Sequence, residues 1–313
     1  MKTVKVLITG GAGYIGSVLV HRMLESGYEV TVLDNLMYRQ SSLTHLISHK
    51  NFNFRYGDVR NLELLKELVN KNDIIIPLAA IVGAPACSKD PILASSINKN
   101  SVFELLKLVH ESQLILMPTT NSAYGKGPKD GFCDENSPLN PISLYARDKV
   151  LVEQRLMEHS NAVSFRLATA FGVSPRMRLD LLLNDFTFRA AKDGFIVVFE
   201  GQYRRNFIHV DDIASAFLLG ITCFDQFRGE IFNVGLSEAN LNKIELCKII
   251  KSIVPNFVYL ESEFGADPDQ RDYLVSNKKI EALGFSPQKS VEFGIHEILK
   301  AFPFFSHTPH NNL

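Results

Sequence analysis

Gly10-Gly11-Ala12-Gly13-Tyr14-Ile15-Gly16 lies nine residues from the start of the chain. The apolar run Val4-Lys5-Val6-Leu7-Ile8-Thr9 precedes it, and Ile15, Val18, Leu19 and Met23 follow at helical spacing. The order is strand, glycine turn, helix. Such glycines let the backbone turn tightly and approach a pyrophosphate, which the helix N-terminus attracts. A second strand, from Glu29 to Leu33, ends at Asp34, 18 residues after Gly16. A carboxylate there accepts hydrogen bonds from both ribose hydroxyls of NAD and repels the 2′-phosphate of NADP. The plainer alternative is a βαβ unit whose glycines only pack helix on strand.

The first half of the chain keeps this rhythm. Phe52, Phe54 and Tyr56 alternate along a strand that stops at Gly57-Asp58. Asn61 to Lys71 and Asn98 to Glu111 read as helices, and Ile74-Ile75-Ile76 as a buried strand with Pro77 at its carboxyl end. Leu114 to Met117 is the next strand, stopping at Thr119-Thr120-Asn121-Ser122. The pattern predicts a Rossmann-type α/β fold, a doubly wound parallel sheet with ligands at the carboxyl ends of its strands. Residues 1–170 form the expected dinucleotide-binding domain. Beyond residue 171, short strands at Ile196 to Phe199, Ile231 to Val234 and Val258 to Glu261 predict a smaller substrate-binding lobe over 171–305. A segment at 203–222 returns to the core, and 306–313 reads as a disordered tail.

Composition narrows the partners. The 313 residues carry a formal net charge of -1, with 46% hydrophobic and 21% charged residues, as in globular chains. No Lys/Arg cluster repeats along a face, which argues against nucleic acid. The longest apolar stretch, Ile74 to Cys87, is broken by Pro77, Gly83 and Pro85 and is too short to span a bilayer. A strand begins within a few residues of Met1 and leaves no room for a signal peptide. Cys87, Cys133, Cys223 and Cys247 form no CxxC pair, so free thiols, no metal and a cytoplasmic location are expected.

Tyr145 and Lys149 open a helical stretch that runs to about His159. Residues four apart share a helix face. A nearby ammonium favours phenolate and predicts a Tyr145 pKa lowered towards neutrality. Such a tyrosine takes a proton from an alcohol while hydride leaves its carbon for a nicotinamide.

With these residues the chain resembles the extended short-chain dehydrogenases/reductases that act on nucleotide sugars. The marks are Thr9 to Gly16, Gly57-Asp58-Val59, Leu78-Ala79-Ala80, Tyr124-Gly125, Tyr145 with Lys149, and Phe207-Ile208-His209-Val210-Asp211-Asp212. Pro77 departs from the histidine of many relatives. The resemblance implies NAD contacts at Gly10, Gly13, Tyr14, Ile15, Gly16, Asp34, Asn35, Asp58, Val59, Leu78, Ala79 and Ala80. Lys149 is then also a ligand of the nicotinamide ribose, and Thr120 is the catalytic hydroxyl that bonds the substrate oxygen. On the substrate, the resemblance implies Asn184, Arg205 and Arg271 at the diphosphate. Arg176 and Arg178 are candidates at the same rim, and Asn121 and Ser122 are expected beside the sugar. His209 reads as structural. It also implies a homodimer through a four-helix bundle, built from the segments near 98–111 and 145–159. Leu105, Leu106, Val109, Val150, Leu151 and Leu156 are the apolar surplus on them.

Related 4,6-dehydratases carry an Asp-Glu pair after the catalytic hydroxyl, because eliminating water needs an acid and a base. This chain has Asn121 and Ser122. That leaves oxidation at C4, by a 4-dehydrogenase or a 4-epimerase, ahead of a dehydratase or a non-catalytic NAD-binding sensor. Asp73 to Ala80, Thr120 to Gly125, Arg166 to Asp185 and Asp267 to Tyr273 are similar to stretches of bacterial GDP-heptose 4-dehydrogenases of surface-polysaccharide pathways.

Overall fold

The computed structural model describes residues 3–128, 131–262 and 271–305. The expected tail at 306–313 and the Asp267–Gln270 part of the last similar stretch lie outside the described residues. The first half runs β1 (Lys5–Thr9), α1 (Tyr14–Glu25), β2 (Glu29–Asp34), β3 (Phe52–Tyr56), α2 (Leu62–Val69) and β4 (Ile74–Pro77). It continues with α3 (Ala84–Lys89), α4 (Pro91–Ser95), α5 (Ser101–Leu108), β5 (Leu114–Thr120) and α6 (Leu144–Leu156). Then come β6 (Ala162–Leu167), β7 (Thr169–Phe171), α7 (Leu182–Lys192), β8 (Phe195–Phe199), β9 (Arg204–His209), α8 (Val210–Thr222) and α9 (Phe224–Phe227). The chain closes with β10 (Glu230–Val234), β11 (Asn240–Asn242), α10 (Lys243–Ile253), β12 (Val258–Ser262), α11 (Lys278–Glu281) and α12 (Val291–Phe305).

Seven parallel strands form the main sheet in the order β10-β6-β5-β4-β1-β2-β3. The order reverses beside β1, so a crevice opens at the carboxyl ends of β1 and β4, where open α/β sheets bind ligands. One face of the sheet packs on α1 and α8 through residues such as Leu19, Val20, Ile213 and Phe217. The other packs on α2, α5 and α6 through Leu65, Leu105 and Val152. A third apolar cluster, with Leu183, Leu246 and Ile295, joins α7, α10 and α12 beside the small sheets β11-β9-β7 and β12-β8. Among the described residues no helix is long and apolar enough to cross a membrane.

Three expectations change. Ile231 to Val234, read in the smaller lobe, pairs with β6 and forms the edge of the main sheet. Its short apolar run fits either sheet, and only the tertiary path decides. The stretch around Pro85 and Pro91, for which no helix was read, holds α3 and α4, because each proline stands in the first turn of its helix, where no donor is lost. The helix expected over 98–111 enters through a π turn at 96–100 and ends at Leu108. Fully buried Asn98 fixes that turn by accepting from the Ile81 N–H (2.8 Å) and donating to the Ile81 carbonyl (2.9 Å).

Candidate active site

A cleft of about 550 Å³ runs along the carboxyl ends of the strands. Its wall includes Gly10, Gly13, Tyr14, Ile15, Gly16, Asp34, Asn35, Asp58, Val59, Leu78, Ala79 and Ala80. The glycine turn is sterically required. Gly10 has φ +70°, and a Cβ there would sit 2.5 Å from the Ala79 nitrogen. β1 and the segment after β4 therefore close on one another, which places Leu78–Ala80 beside the turn. Gly13 caps α1 without a side-chain bond, and the first N–H groups of a helix have no acceptor within it. Tyr14, Ile15 and Gly16 stand there on the cleft wall, a fitting cradle for a pyrophosphate.

Asp34 accepts from the N–H groups of Ala12 (3.0 Å) and Leu36 (2.8 Å). Burial raises its pKa, and these bonds oppose the rise. Asp58 is gripped by Arg60 (2.8 Å) and takes a bond from the Asn35 amide (3.2 Å). The Arg60 guanidinium holds its pKa down to about 2. Turn, helix end and two strand-end carboxylates match the pyrophosphate, ribose and adenine of NAD.

At the other end, β5 delivers Thr120 and α6 delivers Tyr145 and Lys149 to one wall. Ser143 caps α6 by accepting from the Ala146 N–H (3.2 Å), which sets where the helix starts and hence where Tyr145 stands. Lys149 donates to the Pro118 carbonyl at 3.1 Å, and its ammonium lies 6.0 Å from the centroid of the Tyr145 ring. Thr120 donates to Ser122 Oγ at 2.9 Å and accepts the Ser122 N–H at 3.1 Å. The expected lowering of the Tyr145 pKa is not what the structure holds. Burial pushes the phenol up to about 12, against the pull of Arg178 and Arg271. Burial likewise pushes Lys149 down to about 8. Desolvation outweighs the helix-face pairing that the spacing implied.

The substrate end is cationic. Arg178, Arg205 and Arg271 line it, as does Arg176. Arg178 pairs with Asp180 at 2.5 Å, Arg205 donates to the Arg204 carbonyl at 3.0 Å, and Arg271 donates to Ser122 Oγ. Two expected contacts are corrected. Asn184 is fully buried away from the wall. It accepts from the Gly172 N–H (3.0 Å) and donates to the Arg178 carbonyl (2.9 Å), which fastens the arginine-bearing loop. Asn121 also turns from the wall, and its buried amide has no hydrogen-bond partner among the described residues. A one-residue step along the turn sends Thr120 and Ser122 into the cleft and Asn121 behind it.

His209 is structural as expected. It accepts the Asp211 N–H at the start of α8 (3.2 Å) and meets Glu297 at 3.0 Å. Among the wall residues that escaped the sequence reading are Tyr38 and Lys243. Lys243 is the first residue of α10, donating to the Phe199 carbonyl at 2.8 Å. The capping box of Asn242 and Glu245 was its local signal.

Known proteins share this architecture. The model of the NAD dependent epimerase/dehydratase family matches residues 6–235. The low-salt glycan biosynthesis protein Agl12 of Haloferax volcanii is 30% identical, covering 93% of this chain and 96% of that protein. A putative UDP-glucose 4-epimerase of Methanocaldococcus jannaschii is 26% identical over 94% and 97% of the two chains. The solved UDP-glucuronic acid 4-epimerase of Bacillus cereus superposes with a TM-score of 0.85 at 22% identity, covering 96% and 99%, and shows the fold. The chain therefore belongs to the NAD-dependent epimerase/dehydratase family of nucleotide-sugar enzymes, with NAD as its cofactor.

Proposed function

We propose that the chain oxidises C4 of a nucleotide-diphosphate sugar, as a GDP-heptose-type 4-dehydrogenase of surface-polysaccharide biosynthesis. The observation that carries this reading is the wall around Tyr145. Among the described residues its neighbours on the wall are Thr120, Ser122, Ser143 and Lys149, with no carboxylate among them. The carboxylates elsewhere on the cleft, among the described residues, are otherwise engaged. Asp34 and Asp58 serve the adenosine end, Asp180 pairs with Arg178, and Asp185 pairs with Arg189 at 2.9 Å. Elimination of water would lack its acid and base.

NAD, when bound, supplies the hydride acceptor and the positive charge of its oxidised ring. Tyr145 takes the proton of the C4 hydroxyl, with the positive charge of the bound cofactor ring added to the pull of Arg178 and Arg271 against the burial that raises its phenol pKa. Thr120 bonds the same oxygen by turning its proton from Ser122 Oγ to the substrate, while the Ser122 N–H keeps its hydroxyl in place. Arg178, Arg205 and Arg271 draw the diphosphate into the cleft, guanidinium forks being suited to paired phosphate oxygens.

A panel of nucleotide sugars, with products read by mass and NMR, tests this. The expected product is lighter than substrate by two hydrogens, with one turnover per NAD unless an oxidant is added. A second reading is favoured by the 4-epimerase likeness of the Methanocaldococcus protein. Unchanged product mass with steady turnover and no added oxidant would select it. Product lighter by one water would overturn both.

We propose further a cytoplasmic homodimer through α5 and α6. The apolar surplus needs correcting first: Leu105, Leu106 and Leu156 are buried in the core. Leu151, 44% exposed on α6, is what remains clearly open to a partner. Sedimentation at micromolar concentration is expected to show twice the chain mass, and a monomer would refute it.

A further inference from the structure

We propose that Tyr38 and Arg176 form a clasp across the middle of the cleft that slows release of the dinucleotide. Tyr38 stands in the loop between β2 and β3, and Arg176 in the loop after β7. The Arg176 guanidinium carbon lies 5.2 Å from the centroid of the Tyr38 ring, within cation–π range. Both side chains line the cleft, and Arg176 is only 8% exposed, so the contact is largely desolvated.

Each arm is fastened to the glycine turn. On one side Ser42 Oγ donates to the Ala12 carbonyl (2.8 Å), and Asp34 accepts the Ala12 N–H (3.0 Å). On the other, Ser174 Oγ donates to the Tyr14 carbonyl (2.7 Å) and accepts the Arg176 N–H (3.2 Å). Both arms are thereby anchored to the turn and the start of α1, where the pyrophosphate belongs.

The Tyr38 loop is also held in an unusual form. Leu36 and Arg39 flank the ring at φ +50° and +53°, a region that non-glycine residues occupy only under constraint from their surroundings. Gln40 supplies one such constraint. It accepts the Tyr38 N–H (3.1 Å) and donates to Asp34 (3.4 Å). The carboxylate that faces the cofactor ribose is thereby linked to the residue that closes the cleft. A dinucleotide leaving the site has to part the ring from the guanidinium and withdraw its phosphates from that charge.

The test follows NADH fluorescence as the loaded full chain is chased with excess NAD. Tyr38→Ala is expected to speed release about tenfold or more, the size of a desolvated cation–π contact. Tyr38→Phe keeps the ring and is expected to stay within about twofold of wild type. Arg176→Met removes both ring contact and charge and speeds release further. The double variant is expected to release no faster than Arg176→Met alone, because the two residues act as one unit. The proposal is overturned if Tyr38→Ala stays within about twofold of wild type, if Tyr38→Phe is as fast as Tyr38→Ala, or if the two single accelerations multiply. No sugar enters the measurement, so it stands whether the product is a ketone or an epimer.

Discussion

Tyr145→Phe is expected to give a folded, cofactor-binding protein whose kcat is lower by about 10²–10⁴-fold, the range for a lost general acid–base group. The ring packs against the apolar cluster beneath α6, and phenylalanine keeps that packing. Only the hydroxyl is lost. Among the described residues of that wall, none stands where the phenol does. Thr120 and Ser122 are hydroxyls that do not titrate near neutral pH, and Lys149 is held by the Pro118 carbonyl. The measurement is kcat on whichever nucleotide sugar the wild type oxidises, beside a melting curve and an NADH titration. Retention of more than about a tenth of wild-type kcat would remove Tyr145 from the mechanism. A matching loss of NADH affinity would assign it to binding instead.

The parts of this molecule that were legible in the sequence are those written locally. The glycine turn is legible because Gly10 admits no Cβ, and its strand and helix carry their own periodicities. Asp34, Asp58 and Thr120 followed from a rule about strand ends. What escaped is non-local. β10 joins the main sheet by pairing with β6, more than sixty residues earlier in the chain. Asn184 has the right chemistry for a phosphate, but its amide is consumed by Gly172 and Arg178. Leu105, Leu106 and Leu156 looked surplus because their core partners lie on other elements. The direction of the Tyr145 pKa was misjudged for a related reason: helix spacing shows which charges are near, not how much water burial removes. Tyr38 sits in a loop with no periodicity, and its role depends on Arg176, which the fold brings to it from the other side of the cleft.

The second large effect is expected where no ligand is touched. Glu153 lies one helical turn beyond Lys149 on α6, and its side chain is 5% exposed. It meets Arg166 of β6 at 2.6 Å and accepts from Ser164 (2.7 Å) and Thr119 (3.0 Å). Arg166 in turn donates to the Tyr124 hydroxyl (3.0 Å) and the Glu135 carbonyl (3.1 Å). α6 is thus joined to β5 by two polar rungs, Lys149 to Pro118 and Glu153 to Thr119, directly before Thr120. Glu153→Leu would leave the buried Arg166 guanidinium without its counter-charge and leave the Thr119 and Ser164 hydroxyls only each other. Breaking such a pair from one side costs about 3–5 kcal/mol. For a chain of this length that is a fall in melting temperature on the order of 10 °C. Glu153→Leu combined with Arg166→Met removes both charges and is expected to recover part of the loss, since partners in one network are not additive. Urea denaturation of the two singles and the double measures this. A double variant as unstable as the sum of the singles would show that the charges do not need one another, and that α6 is held to the sheet by its apolar face alone.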